Sequence, residues 1–179
     1  MTTVVDGSAG VTTNSGAIYN GIQTTTAVAS TSGTSIEFTN IPAWVKRITV
    51  MFNAVSTGGT ANFQIQSGSG SYEITGYSSG SVYVQSSGSP TAIITTGFVM
   101  NYATFASSAA TLTGHYVLTN LTGNTWVGSH VLIGSNTSGV YGGGVKAFSG
   151  VIDRLRIIAS ATGSPADTFD AGSINILYE

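Results

Sequence analysis

Seven carboxylates, two histidines and five basic side chains are all the ionic chemistry available to this chain of 179 residues. The carboxylates are Asp6, Glu37, Glu73, Asp153, Asp167, Asp170 and Glu179. Glycoside hydrolysis needs two of them facing each other across a groove, one with a raised pKa. Nothing in their spacing singles out such a pair. Asp153 stands beside Arg154 and Arg156, and salt bridges to neighbouring strands or subunits account for these charges. Asp167 and Asp170 flank Thr168 and Phe169 in a turn. Two carboxylates with nearby carbonyls can hold calcium, but hydrogen bonding within the turn is the plainer reading. His115 and His130 fall on neighbouring predicted strands. Two histidines without a third ligand make a weak metal site, and no G-x-S-x-G supplies a nucleophile for a triad. The residues therefore call for no catalytic centre, metal or cofactor.

What remains is a surface of amides, hydroxyls and tyrosines. Tyr72, Tyr77, Tyr83, Tyr102 and Tyr141 lie near predicted loops. A flat aromatic beside amides can stack on a sugar ring while the amides take its hydroxyls. Tyr72, Tyr77, Tyr83 and Tyr141 are the candidate glycan contacts, with ordinary β-protein packing as the alternative for each.

Those side chains sit on a framework short of charge. Charged residues make up 7% of the chain, against about 25% in an ordinary soluble domain. Glycine is abundant at 24 residues, and the net charge is only −2. Weak self-repulsion favours association, so much of the surface is expected to be covered by partner copies. Five basic residues with no cluster argue against nucleic-acid binding. No run approaches the length of a membrane span. There is no cysteine, so no disulfide framework exists. The first residues lack a basic region and an apolar core, so they do not read as a secretory signal.

The elements that position the side chains read as strands. The stretch 36–55 is the most regular. Pro42 suits a turn, and Trp44 beside it reads as a plug buried at that corner. From Lys46 to Val55 the residues Ile48, Val50, Phe52 and Ala54 share one face, and the other face is also partly apolar. That pattern predicts a central strand covered on both sides. Phe63 and Ile65 point inward with Gln64 outward. Residues 72–77 and 81–85 read as a hairpin about 78–80, and 91–100 as a further strand. Residues 101–110 are the one fair helix candidate, with a loop as the alternative among so many strands. Leu112, Gly114, Tyr116 and Leu118 share a face, as do Trp126, Gly128, His130 and Leu132. Together they predict an antiparallel hairpin. The glycine-rich 134–144 reads as a long loop, 145–159 contains a strong strand, and 173–179 closes the chain. The count of strands and the turn spacing predict an all-β antiparallel sandwich, jelly-roll-like, over residues 34–179.

Residues 1–33 hold too little apolar surface for a core of their own. They read either as a solvated tail or, preferably, as an extended arm ordered against other subunits. Val4, Val5, Val11, Ile18, Tyr19 and Ile22 would be its anchors.

Three stretches carry a family resemblance. VVDGSAGVTTNSGAIYNG, near the start, resembles the glycine-punctuated, trimer-forming segments of bacteriophage fibre proteins. IPAWVKRITVMFNAVSTGGT and the ending DTFDAGSINILYE resemble a module in the C-terminal regions of phage tail fibres and related virion proteins. The resemblance implies a non-enzymatic, homotrimeric virion structural protein, such as a fibre, spike knob, head fibre or capsid decoration. Residues 1–33 would attach to another capsid or tail protein, and loops would meet host-surface glycan. The chain is short for a fibre with an extended shaft. A polysaccharide depolymerase and a monomeric carbohydrate-binding module are the competing classes.

Overall fold

The computed structural model describes residues 4–6, 10–12, 21–84, 88–101, 110–135 and 139–179. The strands, in chain order, are β1 (Val4–Asp6), β2 (Gly10–Thr12), β3 (Gln23–Thr24), β4 (Val28–Ala29) and β5 (Ser35–Thr39). Then come β6 (Arg47–Thr57), β7 (Phe63–Gly68), β8 (Ser78–Val84), β9 (Thr91–Ile94) and β10 (Phe98–Val99). The last five are β11 (Leu112–Thr122), β12 (Thr125–Gly134), β13 (Gly139–Ala147), β14 (Arg154–Ala159) and β15 (Phe169–Tyr178). Among the described residues there is no helix. Residues 102–109 of the helix candidate 101–110, and residues 136–138, lie outside them.

The fold is an antiparallel β-sandwich. A nine-stranded sheet runs β3-β15-β6-β11-β12-β13-β8-β9, with β4 also on β15, and a four-stranded sheet runs β10-β7-β14-β5. The core lies between them. Ile48, Val50, Phe52, Tyr116, Leu118, Trp126, Leu132, Ile174 and Ile176 from the large sheet meet Ile36, Phe38, Phe63, Ile65, Leu155 and Ile157 from the small one. Their period-two alternation is what places each on the inner face. The β11–β12 hairpin forms in the expected register, Tyr116 opposite His130 and Leu118 opposite Gly128.

Several expectations change. Ala54 does not continue the face of Phe52. It has φ 51°, opposite a matching irregularity at Gly172, φ 92°. A Cβ on Gly172 would run into the Ala54 carbonyl. This bulge shifts the phase, so Val55 rather than Ala54 faces the core. The outer face of β6 stays partly open at Thr49 and Met51, so the strand is central but fully covered on one side only. Trp44 is not the corner plug: it is 47% exposed. Ile41 and Val45 take the buried positions, because a tight turn closed by the Val45 amide on the Pro42 carbonyl (3.0 Å) turns Trp44 outward. There it tilts against Tyr178 at 5.9 Å between ring centroids.

Gln64 points away from Phe63 and Ile65 but is not exposed. All six residues of β7 are buried, since loops cover its second face. The Gln64 side-chain amide donates to the Ser160 carbonyl (2.7 Å) and accepts from Thr96 Oγ1 (2.9 Å). The Gln66 amide donates to the carbonyls of Thr96 and Gly163 (both 2.8 Å). Buried amides are tolerated when satisfied in this way.

The 72–77/81–85 hairpin does not form. Residues 78–84 make one strand, β8, which pairs with β13 and β9. Its partner β13 runs through the glycine-rich stretch read as a loop. Glycine there is required by crowding rather than by a turn. A Cβ on Gly142 would meet the Gly80 carbonyl and sit 2.8 Å from His130 Cε1, and one on Gly144 would sit 2.6 Å from the Ser78 carbonyl.

Within the stretch read as an arm, β1 and β2 pair with each other, Val5 opposite Val11. Residues 23–30 belong to the large sheet's edge. β3 and β4 pair with β15, and Ser30 is buried, its hydroxyl donating to the Ala171 carbonyl (2.8 Å).

Candidate functional site

Six of the carboxylates, Glu37, Glu73, Asp153, Asp167, Asp170 and Glu179, are spent on holding the fold. Asp167 Oδ2 accepts the Ala61 amide (2.7 Å), and Asp170 accepts the Ser56 hydroxyl. The first ties the turn after β6 to the segment before β15, and the second ties the end of β6 to the start of β15. Among the described residues no group of three or more potential metal ligands is found. Asp153 pairs with its own neighbour, Arg154 Nε, at 2.7 Å, and both its oxygens accept the Gly70 amide. The Arg154 hydrogen bond comes first among the causes that hold the Asp153 carboxyl below its usual range.

Glu73 meets Lys146 Nζ at 2.6 Å and accepts from the Ser149 amide and hydroxyl. Burial works to raise its pKa, and the bonds from Lys146 and Ser149 outweigh this, so it lies below the ordinary value. Lys146 is itself buried and lies 5.5 Å from the ring centres of Tyr77 and Phe148.

The histidines do not form a joint site. His115 is exposed and His130 is buried, because they occupy opposite faces of the paired strands. The His130 ring stacks on Tyr116, 5.0 Å between centroids and 24° between planes. Nε2 lies 3.2 Å from Ser81 Oγ, and Nδ1 has no hydrogen-bond partner among the described residues. Burial pushes the His130 pKa down to about 4.

Of the four candidate glycan tyrosines, two are withdrawn into the core. Tyr77 and Tyr83 are buried, Tyr77 with its hydroxyl donating to the Glu73 carbonyl (3.0 Å) and its ring edge-on to Phe98. They sit at inward positions of the sandwich, so neither ring can meet a sugar. Tyr72 donates to Glu37 (3.1 Å) and carries the Arg156 guanidinium 4.4 Å from its ring centre. Burial first, then the Glu37 contact, push its pKa up to about 12. Tyr141 stays open, 52% exposed on the large sheet. Of the arm anchors, Ile22 is exposed, the backbones of Val4, Val5 and Val11 lie in the β1–β2 ladder, and Ile18 and Tyr19 lie outside the described residues.

The surface that stands out is the outer face of the large sheet. Successive cross-strand rows there read Ile133–Gly139–Val84, then His115–Val131–Tyr141–Val82, then Ser129–Gly143–Gly80–Ile93, then Val127–Val145–Ser78. Ile93 is 82% exposed and Val131 67%, with Ile133, Val84 and Val145 also open. Among the described residues of β8, β9, β12 and β13 the only charged side chain is Lys146, which is buried against Glu73 and Tyr77. This face was legible in part: Val127, Val131 and Ile133 alternate with Trp126 and Leu132, so both faces of β12 are apolar. No family model, curated protein or solved structure matches the chain.

Proposed function

We propose that this chain is a non-enzymatic structural protein of a bacteriophage virion, a homo-oligomeric fibre tip, spike or decoration knob. Its N-terminal residues would join it to another capsid or tail protein. The observation that carries the structural role is the engagement of the carboxylates. Glu37, Glu73, Asp153, Asp167, Asp170 and Glu179 each hold a side chain or loop of the fold in place. A hydrolase keeps a pair of such groups free toward a groove. The low charge and the resemblance of 41–60 and 167–179 to tail-fibre modules support the virion assignment.

Residues 23–30 are stitched to β15, so an attachment segment would end near residue 22. Deleting residues 1–22 should leave a folded knob that no longer joins phage particles. Unchanged incorporation into particles argues against attachment through this segment, and release of reducing ends from a host polysaccharide overturns the non-enzymatic reading.

A glycan contact is supported at Trp44 more than at the tyrosines. The exposed indole is braced by Tyr178, beside Lys46, whose Nζ donates to Asn120 Oδ1 (3.3 Å). Trp126 is buried, so a change in red-shifted tryptophan emission on adding an oligosaccharide reports Trp44 alone.

A further inference from the structure

We infer that the outer face of the large sheet, from β12 across β13 and β8 to β9, is where copies of this chain pack against one another. The inference rests on the multi-copy reading above and names its interface.

The two sheets treat their outer faces differently. The small sheet covers β7 with its own loops, through the Gln64 and Gln66 contacts to residues 96, 160 and 163. It also lays Tyr72, Glu37 and the two arginines over β5 and β14. The large sheet has no such cover among its described residues. Ile93, Val131, Ile133, Tyr141, Val84 and Val145 together leave on the order of 600 Å² open, the upper end of the largest apolar patch on a lone monomer. With the Ser, Thr and Gly surface between the rows, it approaches the ~800 Å² that each partner contributes to a stable complex.

Charge and shape select the occupant. The exposed side chains of this face carry neither sign of charge, so a basic or acidic partner gains nothing from it. A second copy of the same face meets it without like-charge repulsion and without stranding an ion. The face also has relief. A depression of ≈ 420 Å³ is floored by Ser78, Gly80, Gly143 and Gly144 and walled by Ile93 and Val145. Gly80 and Gly143 put no side chain into it, and at Gly143 a Cβ would sit 2.6 Å from the Gly128 carbonyl. Val131, Ile133 and Tyr141 stand proud on the strands beside it. Ridge and socket on one surface let each copy fill the other's hollow, as sheets do when inner side chains interdigitate.

The test is the solution mass of the full chain by light scattering, for the native sequence and for Val131→Asp and Ile93→Asp. Both positions are exposed, so each variant should fold, with an unchanged far-ultraviolet spectrum. The expected result is a multiple of the chain mass for the native protein and a shift to a single chain mass for both variants. Because the chain has no cysteine, Ile133→Cys gives a second readout that does not require disruption. It should form a disulfide-linked dimer on oxidation, while Ile74→Cys, exposed elsewhere, should not. A native multimer whose mass survives both Asp substitutions, with no Ile133→Cys cross-link, overturns this interface and leaves the multi-copy reading standing. A native monomer at every concentration overturns both.

Discussion

His130 makes the stability of this protein depend on pH in a window where few other groups titrate. The ring is buried against Tyr116 with one nitrogen unpartnered, and its pKa falls from 6.5 to about 4. Between those values the unfolded chain holds a proton that the folded chain does not. Stability therefore rises with pH across the window. The His130 contribution is fully present above about pH 6.5 and is lost as pH falls toward about 4. Full protonation corresponds to about 3 kcal/mol, and near pH 5 roughly 2 kcal/mol is already lost. The carboxylates held low, Asp153 and Glu73, lose their contribution only further down, so the upper part of the window isolates the imidazole. The assay is denaturant unfolding at a series of pH values for the native chain and His130→Phe. The slope with pH is what is read, so any constant packing change in the variant drops out. The native chain should lose about 2 kcal/mol between neutral pH and about pH 5, and the variant much less. A native stability that stays flat over that interval, or an equal slope in His130→Phe, rules out the buried imidazole as the source of the pH dependence.

The glycine-rich strand gives a paired test. Gly142→Ala should cost about 1–3 kcal/mol through overpacking, because its Cβ meets the Gly80 carbonyl and the His130 ring, whereas Gly139→Ala has nothing within 4 Å to meet and should be near neutral by thermal unfolding. Glu73→Ala leaves the buried Lys146 ammonium without its carboxylate, and about 3 kcal/mol of lost stability is expected in urea unfolding. Trp44→Ala should cost no more than about 1.5 kcal/mol, well short of the ~3–5 kcal/mol of a core tryptophan, because the ring is half in solvent. A calorimetric loss in the core range would put the indole back in the interior.

Fold class and much of the inner face follow from local alternation alone. Alternation in 112–118 and 126–132 placed Tyr116, Leu118, Trp126, His130 and Leu132 together, since a strand's side chains alternate strictly and each such set must be buried. Long-range pairing decided the rest. Gly142 to Gly144 looks like a loop until β8 and β12 close on either side of it, and only then do the missing side chains become a packing requirement. Ala54 lost its phase to a bulge shared with Gly172, 118 positions later in the chain, which no local window contains. Gln64 became buried because loops at 96 and 160–163 fold over β7 and satisfy its amide. Trp44 turned outward because a tight turn seated Val45 in the corner instead. The open apolar face arises in the same way. Each of its residues is an ordinary strand residue alone, and only the register of β12, β13, β8 and β9 gathers them onto one uncharged surface.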